Sequence, residues 1–190
     1  MAHKTIFEND FTFEEVDNLF LYQSCLTKKL DELITPFDQQ VINEIVLWKV
    51  NRFATLTEET LKLLNSIKPE ATNLDIELTT KVLKALLKTK GIQLPMASTI
   101  LRFRNKNIYQ IIDQRVYRMI YKDKLKIKTY SNEVNLTNQV KLYLDYLLKL
   151  RTICNKHNIQ FSLADRILFM ADKRINKGVK IDGYSSRIED

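Results

Sequence analysis

The chain has 190 residues, the size of one domain or of a compact pair of subdomains. Its net charge of +7 at pH 7 favours an anionic partner, either nucleic acid or a membrane surface. With only 3 Gly and 3 Pro the chain has few turn signals, which excludes a many-turned β fold in favour of long helices. No apolar run reaches the roughly 20 residues of a membrane span, and the N-terminus lacks a signal-peptide core. We therefore expect a cytoplasmic protein in which Cys25 and Cys154, far apart in sequence, are reduced.

Helical spacing of apolar residues predicts four helices in the first half of the chain. Thr12 and Glu15 form a capping-box pattern at the start of the first helix, and Pro36 follows its end. Thr57 opens the third helix in a similar way. The predicted helices cover residues 13–33, 38–53, 57–67 and 75–87.

A hairpin between two helices is predicted around Gly91. This glycine can adopt the left-handed conformation that ends a helix, and Pro95 suits the first turn of the next helix. The segments that follow are a helix at 96–103, an extended stretch at 108–112 and a helix from Asp113 to about 121. A loop is predicted at 122–135, with a short extended piece at 125–130 as an option within it. Two further helices are predicted at 136–156 and 162–175. We expect a flexible tail at 177–190.

These elements predict one compact all-α domain over residues 1–190, with roughly seven to eight helices. Its single helix-hairpin-helix motif spans 82–104, and the segment at 108–121 carries Asp113.

The basic residues are concentrated around this motif. Residues 81–128 contain thirteen lysines and arginines against two aspartates, which leaves the rest of the chain net acidic. Such a cluster is expected where a protein faces phosphates, although a lysine-rich solvated surface is the plainer interpretation. A membrane-surface role fits less well, because the charges are spread over several helices and loops.

Two segments carry a resemblance to a known family: GIQLPMAS at 91–98 and IIDQRVYR at 111–118. Asp113 lies twenty positions after Gln93, and Arg118 lies five positions after Asp113. In this arrangement the chain resembles the helix-hairpin-helix/GPD superfamily of base-excision DNA glycosylases. The sequences of the two segments are most similar to a prokaryotic branch related to 8-oxoguanine DNA glycosylases. The sequence around Trp48 also resembles that branch.

The resemblance implies that Asp113 is the catalytic carboxylate, and that duplex DNA with a damaged base is the partner. It also implies a hairpin that contacts DNA. The residues that we expect to bind DNA are Lys90, Gly91, Gln93, Arg102, Arg104, Arg115 and Arg118. A flipped base needs an apolar or aromatic pocket wall, for which Trp48 and Phe103 are the candidates.

The chain departs from the family at two positions. Gln93 replaces the second hairpin glycine, and Pro95 stands where bifunctional members have a lysine. Without that amine no Schiff base can form there, so we expect water-mediated base removal without lysine-dependent strand cleavage. With His3 and His157 as its only histidines, the chain suggests no metal site. The sequence also suggests no cofactor and no obligate protein partner.

Three alternatives remain open from the sequence. Asp113 directly precedes a helix and could serve only as its N-cap, while Arg118 could pair with a carboxylate on a helix. The chain could be a nucleic-acid-binding module that kept the fold and lost the reaction. It could also be a helical interaction protein with an acidic protein partner.

Overall fold

A computed structural model describes residues 12, 15–18, 22–50, 54–128, 132–179 and 181 of the chain. These residues form eight α-helices and no β-strand, which confirms the all-helical prediction. None of the helices in the described ranges is long and apolar enough to cross a membrane. The chain divides into two compact units, residues 1–53 and 54–190, and the single domain over residues 1–190 stays a prediction.

The first unit contains a 3₁₀ turn, Glu15–Asn18, and two helices, α1 (Ser24–Asp31) and α2 (Gln39–Lys49). The prediction of one continuous helix over 13–33 is wrong, because Gln23 takes a left-handed conformation with φ 43° and α1 begins after it. The predicted start at Phe13 lies outside the described residues. In α2 the prediction holds over most of its length, and the Asp38 carboxylate caps the helix by accepting from the Val41 N–H at 2.9 Å.

The second unit contains the remaining six helices. They are α3 (Glu58–Asn65), α4 (Ile76–Lys88), α5 (Leu94–Arg104), α6 (Gln114–Tyr121), α7 (Glu133–His157) and α8 (Ala164–Ile175). Each of α3, α4, α6 and α7 begins with a side chain that accepts a hydrogen bond from a backbone N–H of its first turn. These four caps are Thr57, Asp75, Asp113 and Asn132.

The core of the second unit forms around α7, whose 25 residues span about 37 Å at the usual rise per residue. Tyr143, Tyr146 and Leu150 of this helix are fully buried, as are Leu86 of α4 and Leu101 of α5. Burial raises the pKa of both tyrosines well above its usual range, so their hydroxyls stay neutral. A neutral hydroxyl can be buried when it has a hydrogen-bond partner, and each of these two donates to a backbone carbonyl.

Those carbonyls belong to the segment between α5 and α6, which was predicted to be extended over residues 108–112. It is non-helical, and no strand pairs with it in the described ranges. Side chains from three helices take the place of a partner strand, since a buried backbone group needs a hydrogen bond. Tyr143 Oη donates to the Gln110 carbonyl at 3.0 Å and Tyr146 Oη to the Ile111 carbonyl at 2.6 Å. The Ile112 N–H donates to Ser98 Oγ at 3.1 Å. This buried segment ends at Asp113.

Two other predictions concern loops. Residues 122–128, within the region predicted to hold a short extended piece, contain no strand, and residues 129–130 lie outside the described part of the chain. The tail predicted at 177–190 is described only at 177–179 and 181.

Candidate nucleic-acid interface

A short turn over residues 89–93 joins α4 to α5, where the hairpin was predicted. Gly91 has φ +86°, and the Ile92 N–H closes the turn on the Thr89 carbonyl at 3.1 Å. Ile92 is buried, whereas Lys90 and Gln93 on either side of it are exposed. The side of the turn away from the core therefore presents a cation, a glycine and an amide to solvent.

The N-terminus of α5 follows directly. Gln93 is its N-cap residue in an extended conformation, and its side chain makes no capping hydrogen bond. A helix start that is not capped by a side chain leaves backbone N–H groups for another acceptor, and the helix dipole favours an anion there. A Cβ at Gly91 would meet nothing within 4 Å, so this glycine is required for its positive φ and not for lack of space.

Two arginines of α5 have structural partners. Arg102 is only 5% exposed, its Nη2 donates to the Ser162 carbonyl at 3.2 Å, and its Nε lies 3.6 Å from Asp165 Oδ2. The expected contact of Arg102 with DNA does not fit this burial, because the guanidinium faces a core carboxylate. Arg104 donates from Nε to the Ile67 carbonyl at 2.7 Å and from Nη2 to the Asn65 carbonyl at 2.8 Å. It thereby satisfies carbonyls at and beyond the end of α3.

Asp113 lies at the junction of the buried segment and α6. Its Oδ1 accepts from the Val116 N–H at 2.8 Å, so Asp113 is the N-cap of α6. This hydrogen bond does not exclude a second role for the carboxylate. The side chain is partly buried, and this burial raises the carboxyl pKa against the opposing hydrogen bonds from the Val116 and Arg115 backbone. Among the described residues no lysine or arginine forms an ion pair with Asp113. The charge of Arg115 acts to lower this pKa, but burial has the larger effect. A partly buried carboxylate with a raised pKa is the type of group that general acid–base chemistry uses.

Arg115 and Arg118 both bind a carboxylate that the sequence did not single out. Arg118 donates from Nε to Asp172 Oδ1 at 2.6 Å and from Nη2 to Oδ2 at 2.7 Å, while Arg115 Nη1 reaches Oδ2 at 3.0 Å. Asp172 is fully buried, and Asn176 Nδ2 also donates to its Oδ1. Burial works to raise the Asp172 pKa, but the hydrogen bonds from Arg118, Asn176 and Arg115 hold it below its usual range. The alternative that Arg118 pairs with a helical carboxylate is therefore the observed one.

The two candidates for a base pocket belong to different units of the chain. Trp48 belongs to the first unit, where its Nε1 donates to Thr27 Oγ1 at 2.9 Å and Tyr22 packs edge-on at 5.2 Å between ring centroids. Phe103 belongs to the second unit, and its side chain is 69% exposed beneath the Arg102 guanidinium. An exposed phenylalanine does not form the wall of a closed pocket.

A cavity that the sequence did not indicate lies against α6. It has a volume of about 580 Å³ and is lined by Gln114 and Arg118, by the loop 122–126, and by Val179 and Ile181. A smaller cavity of about 210 Å³ lies near Leu74 and Arg151. Neither cavity is lined by Asp113 or Phe103. Among the described residues, no group of three His, Cys, Asp or Glu side chains could hold a metal ion.

The surface charges around the hairpin are partly paired. Lys81 contacts Glu77 at 2.6 Å, and both Lys84 and Lys88 contact Glu133. Glu77 offsets the charge of Lys81, whereas Glu133 offsets only one of the two charges of Lys84 and Lys88. Five other lysines are exposed and form no ion pair with an acid of the described ranges: Lys90, Lys106, Lys122, Lys126 and Lys128.

Comparisons with known proteins add no relative. No protein-family model matches the chain, and neither does any curated protein or solved structure.

Proposed function

We propose that this chain binds duplex DNA with a damaged or modified base through its hairpin, and that Asp113 promotes hydrolysis of the N-glycosidic bond. The observation that carries the proposal is the environment of Asp113. It is a partly buried carboxylate with a raised pKa, and it pairs with no cation of the described residues, whereas Asp165 and Asp172 are both paired with arginine. The resemblance of 91–98 and 111–118 to DNA glycosylases points to the same residue.

The chemistry requires only water and this carboxylate. Asp113 accepts a proton from water as the water oxygen bonds to C1′ of the deoxyribose. The bond between C1′ and the base nitrogen breaks, and the base leaves with the electron pair and takes up a proton from solvent. A carboxylate also stabilises the positive charge that develops on the sugar as the base departs. A raised pKa makes Asp113 the stronger base once it is ionised, and Pro95 supplies no amine for strand cleavage.

The hairpin supports the binding half of the proposal. Lys90 offers a charge, Gly91 offers an open backbone, and the uncapped start of α5 offers N–H donors. Contacts of this type are made to phosphate and are independent of sequence, so binding weakens as salt is added. The two free cysteines support a reducing compartment, and we propose the cytoplasm.

The test is a screen of duplex oligonucleotides with different base lesions, scored with and without alkali to separate base loss from strand cleavage. The enzyme hypothesis predicts base release by the wild type and strand breaks only after alkali. Asp113→Asn should reduce release by about 10² to 10⁴-fold while it keeps DNA affinity, because asparagine caps the helix equally well. The matched control is Asp145→Asn, at an exposed position in α7. Unchanged release by Asp113→Asn would contradict the assignment.

A second candidate function is nucleic-acid binding without catalysis. It is favoured by the cavities, since neither of the two is lined by Asp113, and by the exposure of Phe103. It predicts a gel shift with DNA or RNA at low salt and no base release from any lesion. Lys90→Glu should then weaken binding more than Lys156→Glu, which makes the same charge change at an exposed position of α7. If the wild type gives no shift with either nucleic acid, an acidic protein becomes the better candidate for the partner.

A further inference from the structure

One wall of the cavity against α6 is the loop that follows this helix, and the side-chain amide of Gln114 holds that loop against the helix by hydrogen bonds. Gln114 Nε2 donates to the Leu125 carbonyl at 2.8 Å, and the Leu125 N–H donates to Gln114 Oε1 at 3.0 Å. The Leu125 side chain is 5% exposed and packs into the core. Lys122 has φ 54°, which turns the chain sharply at the end of α6. The loop is therefore anchored at its middle, and Lys122 and Lys126 are carried on either side of the anchor.

The charge of the cavity is strongly one-sided. Three lysines of the loop and Arg118 line it, against Asp123 as the one acidic lining residue in the described part of the chain. Asp172 largely neutralises the charge of Arg118, so the excess positive charge of the cavity comes from the loop lysines. Lys122 and Lys126 are exposed and have no acidic partner among the described residues. A concave surface with one sign of charge concentrates ligands of the opposite sign.

The cavity also has an apolar side. Leu125, Val179 and Ile181 line it together with the lysines. Its volume of about 580 Å³ falls within the range of small-molecule sites, which is about 300 to 1,000 Å³. A fully hydrated inorganic ion would make no favourable contact with an apolar wall. An anion that carries a flat or apolar body fits both halves of the lining.

We propose that the cavity formed by α6 and the loop 122–126 binds a nucleoside phosphate, with the phosphate at Lys122 and Lys126 and the nucleoside against Leu125, Val179 and Ile181. The same chemical group occurs in a free nucleotide and at the phosphorylated end of a strand. The site is distinct from the hairpin and does not depend on Asp113, although Gln114 places it next to that residue in the chain. It stands even where base release fails, because it needs no catalysis.

The first test measures binding of a nucleoside monophosphate to the full chain by isothermal titration calorimetry. The double variant Lys122→Gln and Lys126→Gln should weaken binding by about tenfold or more, since two charge-assisted contacts are lost. The matched control is Lys141→Gln with Lys156→Gln, which removes two charges at exposed positions of α7. The nucleoside without phosphate should bind more weakly than its monophosphate, and inorganic phosphate should compete.

The second test separates the two sources of the ligand. If a 5′-phosphorylated oligonucleotide binds more tightly than its unphosphorylated form, and the lysine variant loses the difference, the ligand is a strand end. If only the free nucleotide binds with this dependence, the ligand is a small molecule. The proposal is overturned if wild type binds neither ligand, or if the control pair loses as much affinity as the loop pair.

Discussion

The bidentate pairing of Arg118 with Asp172 joins α6 to α8, so its removal should destabilise the helix that Asp113 caps. In Asp172→Ala, two guanidinium groups lose the carboxylate that they share, and Asn176 loses its acceptor. Removing one partner of a buried ion pair costs about 3 to 5 kcal/mol. The side chains of Arg115 and Arg118 are 22% and 17% exposed, which lets water reach the stranded charges. We therefore expect the lower end, about 3 kcal/mol.

Urea unfolding followed by circular dichroism measures this loss as a shift of the midpoint. The control is Asp145→Ala, the same substitution at an exposed position of α7, which should change the free energy of unfolding by less than about 0.5 kcal/mol. A loss below about 1 kcal/mol in Asp172→Ala would refute the reasoning, because the pair would then be no stronger than a surface ion pair.

Substitutions at three positions test the remaining contacts. Asp113→Ala should cost about 1 kcal/mol of cap energy in thermal or urea unfolding, whereas Asp113→Asn should cost almost nothing. Because burial raises the Asp113 pKa, the wild type should lose stability relative to Asp113→Asn as the pH rises from the usual carboxyl range towards the raised value, and a flat difference would argue against that burial. For Asp172, whose pKa is lowered, the stability gap between wild type and Asp172→Asn should be full at neutral pH and vanish as the pH falls through the lowered value. Gly91→Ala should destabilise the chain by about 1 kcal/mol through its positive φ, and by more than Gly91→Asn, which tolerates that conformation; equal losses would point to a steric cause.

Local patterns predicted most of the helices because each carries its own signals. Thr57 and Asp113 sit where a short polar side chain precedes an apolar repeat, and both cap helices. Gly91 marked the hairpin for an equally local reason, since few other residues adopt its φ. In the first unit the apolar repeat runs across Gln23, and spacing alone did not show the break there.

The partners of charged side chains were not predictable in this way. Arg102 and Asp165 are separated by 63 positions in sequence, and only the packing of α8 brings them together. Asp172 did carry a signal, because it lies one turn after Leu168 on the buried stripe of α8, where a charge needs a partner. Its partners are Arg115 and Arg118, two of the residues that were expected to contact DNA.

The buried segment before Asp113 has a consequence for how the chain folds and opens. Its backbone is held by Ser98 from α5 and by Tyr143 and Tyr146 from α7, so it gains these bonds only after both helices have docked. Such long-range contacts form late, because chain closure must precede them. The Ile112 amide should exchange its hydrogen for deuterium only when the whole unit opens, at a rate set by global stability. If the amide exchanges in this way, the Asp113 carboxylate loses its position only when the whole unit unfolds.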